Sequence, residues 1–351
     1  MAMPSLSDQI IQSYARHGSL WCESFTRLCF VGAPSFGSVY TTDPLLSGSV
    51  GGTPLVRLNK VVPDGCGTVW LKLESSNPTG SYKDRMAVAV LGRAIERGEV
   101  KPGDRVVEYT GGSTGTALAF VAARLGLSFV AVSSDAFSEE KLRSMRAYGA
   151  EVIIEASEDG AITPELIGRM KGRAQDLASE EGSFYADQFG SPDVLVGYEP
   201  MGAEIAEQTG GAVDLICAGV GTGGALMGAV NGLDGRGVRP DVIALEPAQS
   251  PLLTTGVGGP HRVEGIGVGF EPPFLNRTRC AEIRTVDEAL AMEMCRRLAA
   301  EEGLLCGTST GLNVCAAIEL AAELGRGSSV VTLACDSGLK YLGGGLFDRS
   351  V

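Results

Sequence analysis

The sequence has only two histidines, His17 and His261, and only two tryptophans in 351 residues. So few histidines argue against a multi-histidine metal site and against a catalytic triad built on histidine. The nine cysteines never form a Cys-x-x-Cys pair, and most lie in apolar surroundings. This pattern is typical of buried free thiols and argues against a zinc site or a disulfide framework.

Basic residues are also scarce, with 29 Lys and Arg against 42 Asp and Glu and a net charge of -13. Nucleic-acid binding relies on clustered basic side chains, so no nucleic-acid partner is expected. No apolar run reaches the roughly 18 residues of a membrane-spanning helix, and the first 30 residues lack a secretory signal pattern. These absences predict a cytoplasmic protein without a membrane partner.

Strand-like and helix-like segments alternate after the first 50 residues. The strand-like runs are nearly continuous in apolar residues, as in parallel strands buried on both faces. Between them lie helical patterns, one with Ser138 as N-cap and Gly149 at its end. We therefore predict an α/β fold of mostly parallel sheets flanked by helices, with two successive units meeting near residue 190. The predicted strands span 69–74, 106–110, 129–134, 151–155, 213–218, 241–246 and 329–335.

Lys83 follows the first of these strands and stands in the first turn of the next predicted helix. A cation there faces the positive end of the helix macrodipole, which is unfavourable. One explanation is an exposed lysine paired with Asp84 or Glu74. The other is an amine kept partly unprotonated, which can attack a carbonyl and hold it as a Schiff base.

Two glycine-rich turns follow later strands. The turn at 110–116 contains Gly111 and Gly112 before a helix, where free amides can bind an anion such as a carboxylate. A tight turn capped by Ser113 or Thr114 is the alternative. The second turn, 219–225, has four glycines in six positions, which is typical of a phosphate cradle made of backbone N–H groups.

The second turn also matches the G-x-G-x-x-G pattern of dinucleotide sites, and Glu246 closes the next strand at a suitable distance for a ribose-binding acid. A nicotinamide-dependent oxidoreductase is therefore an alternative. That alternative gives Lys83 no role and leaves the turn with Gly111 and Gly112 unexplained.

Small hydroxyl residues open a helix near the C-terminus, at 306–311, and Cys335–Gly338 ends the following strand. Their hydroxyls can cap the helix or hydrogen-bond a ring nitrogen of a cofactor. A Schiff-base lysine, a phosphate cradle, a carboxylate-binding turn and such a hydroxyl together indicate a pyridoxal phosphate site acting on an amino acid.

From Gly52–Leu58 to Tyr341–Leu342 the sequence resembles the fold type II pyridoxal phosphate enzymes of the cysteine synthase and cystathionine β-synthase family. The resemblance implies two open, mostly parallel sheets, with Lys83 as the cofactor lysine and general base. It implies further cofactor contacts from Ser113, Gly221, Thr222, Gly223, Gly224, Ala225 and Ser309. It implies substrate contacts from Thr110, Gly111, Gly112, Thr114, Gln188 and Gly265, and no metal.

One motif departs from the family. Where the family usually reads Thr-Ser-Gly-Asn-Thr-Gly, this chain reads Thr110-Gly111-Gly112-Ser113-Thr114-Gly115. The serine that normally meets the substrate carboxylate is absent, and the asparagine that meets the cofactor's phenolic oxygen is shortened to serine. Both differences bear on the substrate more than on the cofactor.

The resemblance also implies a domain arrangement and a homodimer. The smaller, mobile domain spans 88–190 and carries the carboxylate loop, the larger one combines 51–87 with 191–351, and 1–50 form an extension. The implied activity is β-replacement on an activated, serine-type amino acid, such as O-acetylserine, by sulfide, a thiol or an amine. β-Elimination or deamination of serine, threonine or cysteine is the alternative with the same cofactor, and a catalytically silent binding protein is a third.

Overall fold

The structure, a computed structural model, describes residues 43–160 and 162–348. The predicted extension at 1–50 therefore lies largely outside the described residues, as do His17, Cys22 and Cys29. The described part contains two open sheets, one of six strands and one of four. The predicted α/β class with mostly parallel sheets is confirmed.

The six-stranded sheet has the order β1-β2-β10-β7-β8-β9, with β1 antiparallel to β2 and the other pairs parallel. The four-stranded sheet, β5-β4-β3-β6, is parallel throughout. All seven predicted strands are present, and three further strands appear. In chain order the strands are β1 Leu55–Arg57, β2 Thr68–Lys72, β3 Arg105–Tyr109, β4 Ser128–Ser134, β5 Glu151–Glu155, β6 Ser183–Tyr185, β7 Leu215–Gly219, β8 Asp241–Pro247, β9 Glu282–Val286 and β10 Ser329–Leu333.

Helices connect the strands and cover the sheets. Ser138 caps one of them, because its side chain accepts a hydrogen bond from Lys141 N, and Gly149 follows its end with φ +88°, as predicted. The α-helices of the described residues are α1 Pro44–Ser49, α2 Lys83–Glu96, α3 Ser113–Leu125, α4 Glu139–Ala147, α5 Pro164–Ala178, α6 Asp193–Gln208, α7 Gly224–Asp234, α8 Leu252–Thr255, α9 Glu288–Arg297 and α10 Thr308–Leu324.

A buried ionic network fixes the start of α2, where Lys83 lies. Arg85 donates two hydrogen bonds to the Glu74 carboxylate, at 2.7 and 2.8 Å, and two more to Glu204 of α6, both at 2.8 Å. Lys72, at the end of β2, donates to Glu204 at 2.6 Å. Since removing one partner would leave a buried charge uncompensated, the network locks β2, α2 and α6 into one arrangement.

Helices α6 and α7 pack at close range through glycine. A β-carbon built on Gly202 would lie 1.8 Å from Ala229 O, and one on Gly232 would lie 1.9 Å from Glu199 O. Backbone atoms of a packed helix cannot yield to such a contact. The two helices therefore require glycine at these positions, and their packing sets where the amino end of α7 points.

We expect Gly232→Ala to lower the free energy of unfolding by about 1–3 kcal/mol, because the methyl group would force α6 and α7 apart. Gly172→Ala in α5 is the matched control, since nothing lies within 4 Å of its β-carbon. The control should be neutral or slightly stabilising, as alanine favours helix over glycine. Urea unfolding of both variants measures the difference, and equal stabilities would contradict the packing argument.

The seven described cysteines are free, and five of them are buried. This agrees with the prediction of buried thiols for that part of the chain. Within residues 43–348 as described, no helix has the length and apolar character needed to cross a bilayer.

Candidate active site

Lys83 is the first residue of α2, so the sequence placed it correctly at a helix start. Its side chain is half-buried, and Nζ lies 4.9 Å from the centre of the Tyr82 ring. The loss of water around the amine lowers its pKa to about 8, although the nearby Cys335, Glu108 and Asp336 oppose this shift. The amine is therefore far more often neutral than that of an exposed lysine.

The two carboxylates offered as ion-pair partners of Lys83 have other partners. Glu74 binds Arg85, and Asp84 accepts hydrogen bonds from the Thr79 hydroxyl and, at 2.7 Å, from Thr79 N. These contacts account for both acids, while the Lys83 amine lies against an aromatic ring. The structure thus favours the functional explanation of Lys83 over a surface ion pair.

The second glycine-rich turn joins β7 to α7 and reaches the same pocket as Lys83. Gly223 precedes the helix with φ +83°, and a β-carbon there would lie 2.7 Å from Leu275 N. Gly223 itself offers no side chain as a cap, and Gly224 N donates to the Thr222 hydroxyl at 3.1 Å. The next N–H groups of the first turn, those of Ala225 and Leu226, are thus available to an anion. The pocket is lined by Tyr82, Lys83, Gly219, Gly221, Thr222, Gly223, Ala225 and Leu226.

The segments that follow β2 and β10 of the six-stranded sheet are hydrogen-bonded to each other beside this pocket. Because β2, β10 and β7 are neighbours, the segments that follow them meet at one edge. Tyr82 N donates to Cys335 O at 3.1 Å, and Ser337 N donates to Gly80 O at 2.9 Å. The Lys83 loop and the 335–338 segment are therefore held side by side.

Ser309 lies in the first turn of α10 and is buried. The neighbouring Thr310 hydroxyl accepts a hydrogen bond from Cys335 N at 3.0 Å, and burial raises the pKa of the Cys335 thiol to about 12, so that the sulfur is neutral. Cys335 in turn lies beside Lys83. The structure thus brings Ser309 to the Lys83 side of the pocket, next to the strand end predicted from sequence.

The first glycine-rich turn follows β3, and α3 begins at Ser113. The Thr110 hydroxyl accepts hydrogen bonds from Gly112 N and Gly115 N, both at 3.2 Å. Gly112 precedes the helix without any side-chain cap. The N–H groups of Ser113 and Thr114, which lie between the two that Thr110 accepts, remain for an anion.

Gln188 joins this turn from the end of the neighbouring strand β6. It accepts a hydrogen bond from the Thr114 hydroxyl at 2.8 Å, and its backbone N donates to the buried Glu108 at 2.9 Å. The preceding Asp187 has φ +46°, a conformation that non-glycine residues adopt rarely. This turn at Asp187 places the Gln188 side chain against Thr114. Burial raises the pKa of the neighbouring Glu108 to about 8.

Gly265 approaches the phosphate-type turn from a distant part of the chain. A β-carbon on Gly221 would lie 2.3 Å from Gly265 O, so the two segments touch through their backbones. Next to it, Glu264 N donates to the Thr308 hydroxyl at 3.0 Å. Every predicted site residue therefore lies in one of two linked loop groups, around Lys83 and around Thr114.

Sequence reasoning missed four residues that complete these loops. Lys340 donates to the Ser113 hydroxyl at 3.2 Å, and Lys141 reaches across Gly112 to form an ion pair with Glu264. Tyr82 forms part of the pocket wall. Phe137 packs against Gly111.

Glu246, the acidic residue that the dinucleotide alternative requires, has a structural function instead. Glu246 is buried and accepts hydrogen bonds from Leu253 N at 2.7 Å and from Thr254 N at 2.9 Å. It therefore caps the short helix α8 and is committed to the fold. The residue that would have bound a ribose is explained without a nucleotide.

The residues present fit pyridoxal 5′-phosphate. A glycine cradle with bare N–H groups at a helix start suits its phosphate, and the half-buried, weakly basic Lys83 amine in the same pocket suits its aldehyde. The buried Ser309 supplies a neutral hydroxyl beside them. Such a site defines an enzyme that binds a phosphate-bearing carbonyl cofactor.

A family model described as pyridoxal-phosphate dependent enzyme matches residues 46–336. The chain belongs to this family, and its cofactor is pyridoxal 5′-phosphate, as predicted. A cysteine synthase from Staphylococcus aureus is 41% identical over 295 residues, covering 84% of this chain and 93% of the relative. An O-ureido-L-serine synthase from Streptomyces lavendulae is 38% identical over 319 residues, covering 90% and 94%.

Solved structures of enzymes from this family are also similar to this chain. An O-ureido-L-serine synthase superposes with a TM-score of 0.80 at 36% identity, over 88% of this chain and 95% of its own. A cysteine synthase from Entamoeba histolytica gives a TM-score of 0.80 at 31% identity, over 92% and 94%. The predicted resemblance to the cysteine synthase family is confirmed, and these relatives support β-replacement on a serine-type amino acid.

Proposed function

We propose that this enzyme replaces the leaving group on Cβ of an O-acetylserine-like amino acid by sulfide, a thiol or an amine. The observation that carries the proposal is the Lys83 amine, half-buried and with its pKa lowered to about 8, in one pocket with the glycine turn at the start of α7. An amine of this kind can both hold the cofactor and move a proton near neutral pH.

When bound, pyridoxal 5′-phosphate supplies an electron sink that makes the α-proton of an amino acid acidic and lets a group leave from Cβ. The protein's part is positioning and proton transfer. Lys83 Nζ would hold the cofactor and would accept the α-proton of the substrate. N–H groups of the turn 221–225 would anchor the phosphate, and the Ser309 hydroxyl would serve as a neutral partner of the ring nitrogen.

The substrate carboxylate is assigned to the turn of Thr110, Gly111, Gly112 and Thr114, with Gln188 opposite. Support comes from the uncapped start of α3 and from the 2.8 Å hydrogen bond between Thr114 and Gln188, which fixes the amide beside the turn. Ser113 of the same turn is assigned to the cofactor. Gly265, against Gly221, is assigned to the side that faces the substrate side chain.

We further propose that 88–190 form a smaller domain that moves against the rest, 51–87 plus 191–351, when the substrate binds. Two separate sheets, one built entirely from residues 105–185, support this division. We also propose a cytoplasmic homodimer, on the resemblance to the family. Light scattering on the purified protein measures the oligomeric state directly.

The test of the function is the visible absorption spectrum of the holoenzyme during titration with O-acetylserine, without a nucleophile. A saturable change in the cofactor band, reversed on adding sulfide with release of cysteine, is the expected result. If the band does not change, phosphoserine, serine and cysteine are titrated next, and no change with any of them contradicts the proposal.

The same titration separates the alternative activities. Pyruvate or another keto acid formed without a nucleophile indicates β-elimination or deamination as the main reaction. Tight binding of a nicotinamide dinucleotide, measured by calorimetry, indicates the oxidoreductase alternative. Catalytic silence requires that the cofactor binds and that its band responds to no amino acid.

A further inference from the structure

Phe137 occupies the space next to Gly111 in the turn assigned to the substrate carboxylate. A β-carbon built on Gly111 would lie 2.2, 2.3 and 2.6 Å from Phe137 Cε1, Cδ1 and Cζ. Contacts below 3.0 Å essentially never occur at a real β-carbon. The ring therefore excludes any side chain at position 111 while it keeps its present place.

The ring is held in that place by the fold. Phe137 follows β4 in a tight turn, with its N–H donating to Ser134 O at 3.2 Å. It packs on the apolar cluster that includes Tyr109 and Phe189, whose rings are stacked with centroids 5.9 Å apart. The side chain is only half-buried, so part of the ring remains open to solvent beside the turn.

Of the two threonine hydroxyls in the turn, only that of Thr114 uses its O–H donor within the protein. Thr110 accepts from two backbone N–H groups, and Thr114 donates to Gln188. Glycine at 111 adds no hydroxyl. The donors left for a carboxylate are therefore the Thr110 O–H, main-chain N–H groups at the start of α3, and one N–H of the Gln188 amide, whose nitrogen also donates to Tyr109 O at 3.4 Å.

We propose that Gly111 and Phe137 form one specificity-determining pair. Phe137 makes an apolar wall where a side chain at 111 would stand, so the site takes an α-amino acid whose carboxylate is held without any contact from a side chain at position 111. This inference depends on the proposed function, because it assumes that the turn receives the carboxylate. A side chain at position 111 therefore requires a smaller residue at position 137.

The test is a double-mutant cycle on the holoenzyme with Gly111→Ser, Phe137→Ala and the double variant. The readouts are the dissociation constant of the amino-acid donor, from the cofactor absorption band, and KM and kcat separately. Gly111→Ser alone is expected to weaken donor binding about tenfold or more, and the double variant is expected to recover most of that loss. Phe137→Val is a second partner for the serine variant if alanine lowers the melting temperature.

Gly172→Ser, combined with Phe137→Ala, is the matched control, because nothing lies within 4 Å of the Gly172 β-carbon. The effects of these two substitutions on donor binding should be additive. The inference is overturned if Gly111→Ser binds donor as tightly as the parent, or if Phe137→Ala fails to rescue it. If no amino acid changes the parent's cofactor band, the proposed function fails first, and the pair's role in specificity fails with it.

Discussion

Lys83→Ala is expected to abolish turnover and to weaken retention of the cofactor during gel filtration. No other described side chain in the pocket that holds the glycine turn is an amine, so nothing there can replace Nζ as covalent anchor or proton acceptor. The measurement is the visible absorption of the variant after incubation with pyridoxal 5′-phosphate and removal of the excess. Lys101→Ala is the control, because Lys101 is exposed and lies outside the pocket.

The pKa of Lys83 adds a dependence on pH that an ordinary lysine would not show. With its pKa lowered from 10.5 to about 8, about a quarter of the amine is neutral at pH 7.5, against about one part in a thousand for an unshifted lysine. Because only the neutral amine attacks a carbonyl, the rate at which the apoenzyme takes up cofactor should rise with pH and level off above about 8. A rate still rising steeply at pH 10 would contradict the lowered pKa.

The fold could be predicted from sequence where strands are buried on both faces. The seven predicted strands are long or strongly apolar, and each was found. The missed strands lack that signal: β1 and β6 have only three residues each, and β9 alternates Glu282, Ile283, Arg284 and Thr285 at the edge of its sheet. A short or half-polar edge strand is specified by its neighbour more than by its own sequence.

The residues of the site also fall into those that could be predicted from the sequence and those that could not. The glycine turns and Lys83 could be found because each lies in the connection from a buried strand to the next helix, where parallel sheets bind ligands. Phe137, Lys141 and Lys340 carry no such local signal. Lys340 reaches Ser113 across 227 positions of sequence, and Lys141 reaches Glu264 across 123. Contacts of this kind depend on tertiary packing that neither spacing nor composition specifies.

The second large effect is expected from a substitution in the turn that binds the cofactor phosphate. We expect Gly221→Ala to reduce the affinity for pyridoxal 5′-phosphate by about 10- to 100-fold, because a methyl group 2.3 Å from Gly265 O must push the turn away from its present position and misdirect its N–H groups. Gly235→Ala, at the opposite end of α7, meets nothing closer than 3.4 Å and is the matched control.

Comparing pyridoxal 5′-phosphate with pyridoxal separates damage to the phosphate site from general unfolding. If the turn binds the phosphate, Gly221→Ala should weaken binding of the phosphorylated form and leave the binding of pyridoxal nearly unchanged, since Lys83 is intact. An equal loss for both forms, together with a lower melting temperature of the apoenzyme, would instead mean that Gly221 serves the fold. A parent enzyme that binds both forms equally well would contradict the assignment of the turn itself, because main-chain N–H groups at a helix start favour the anionic form.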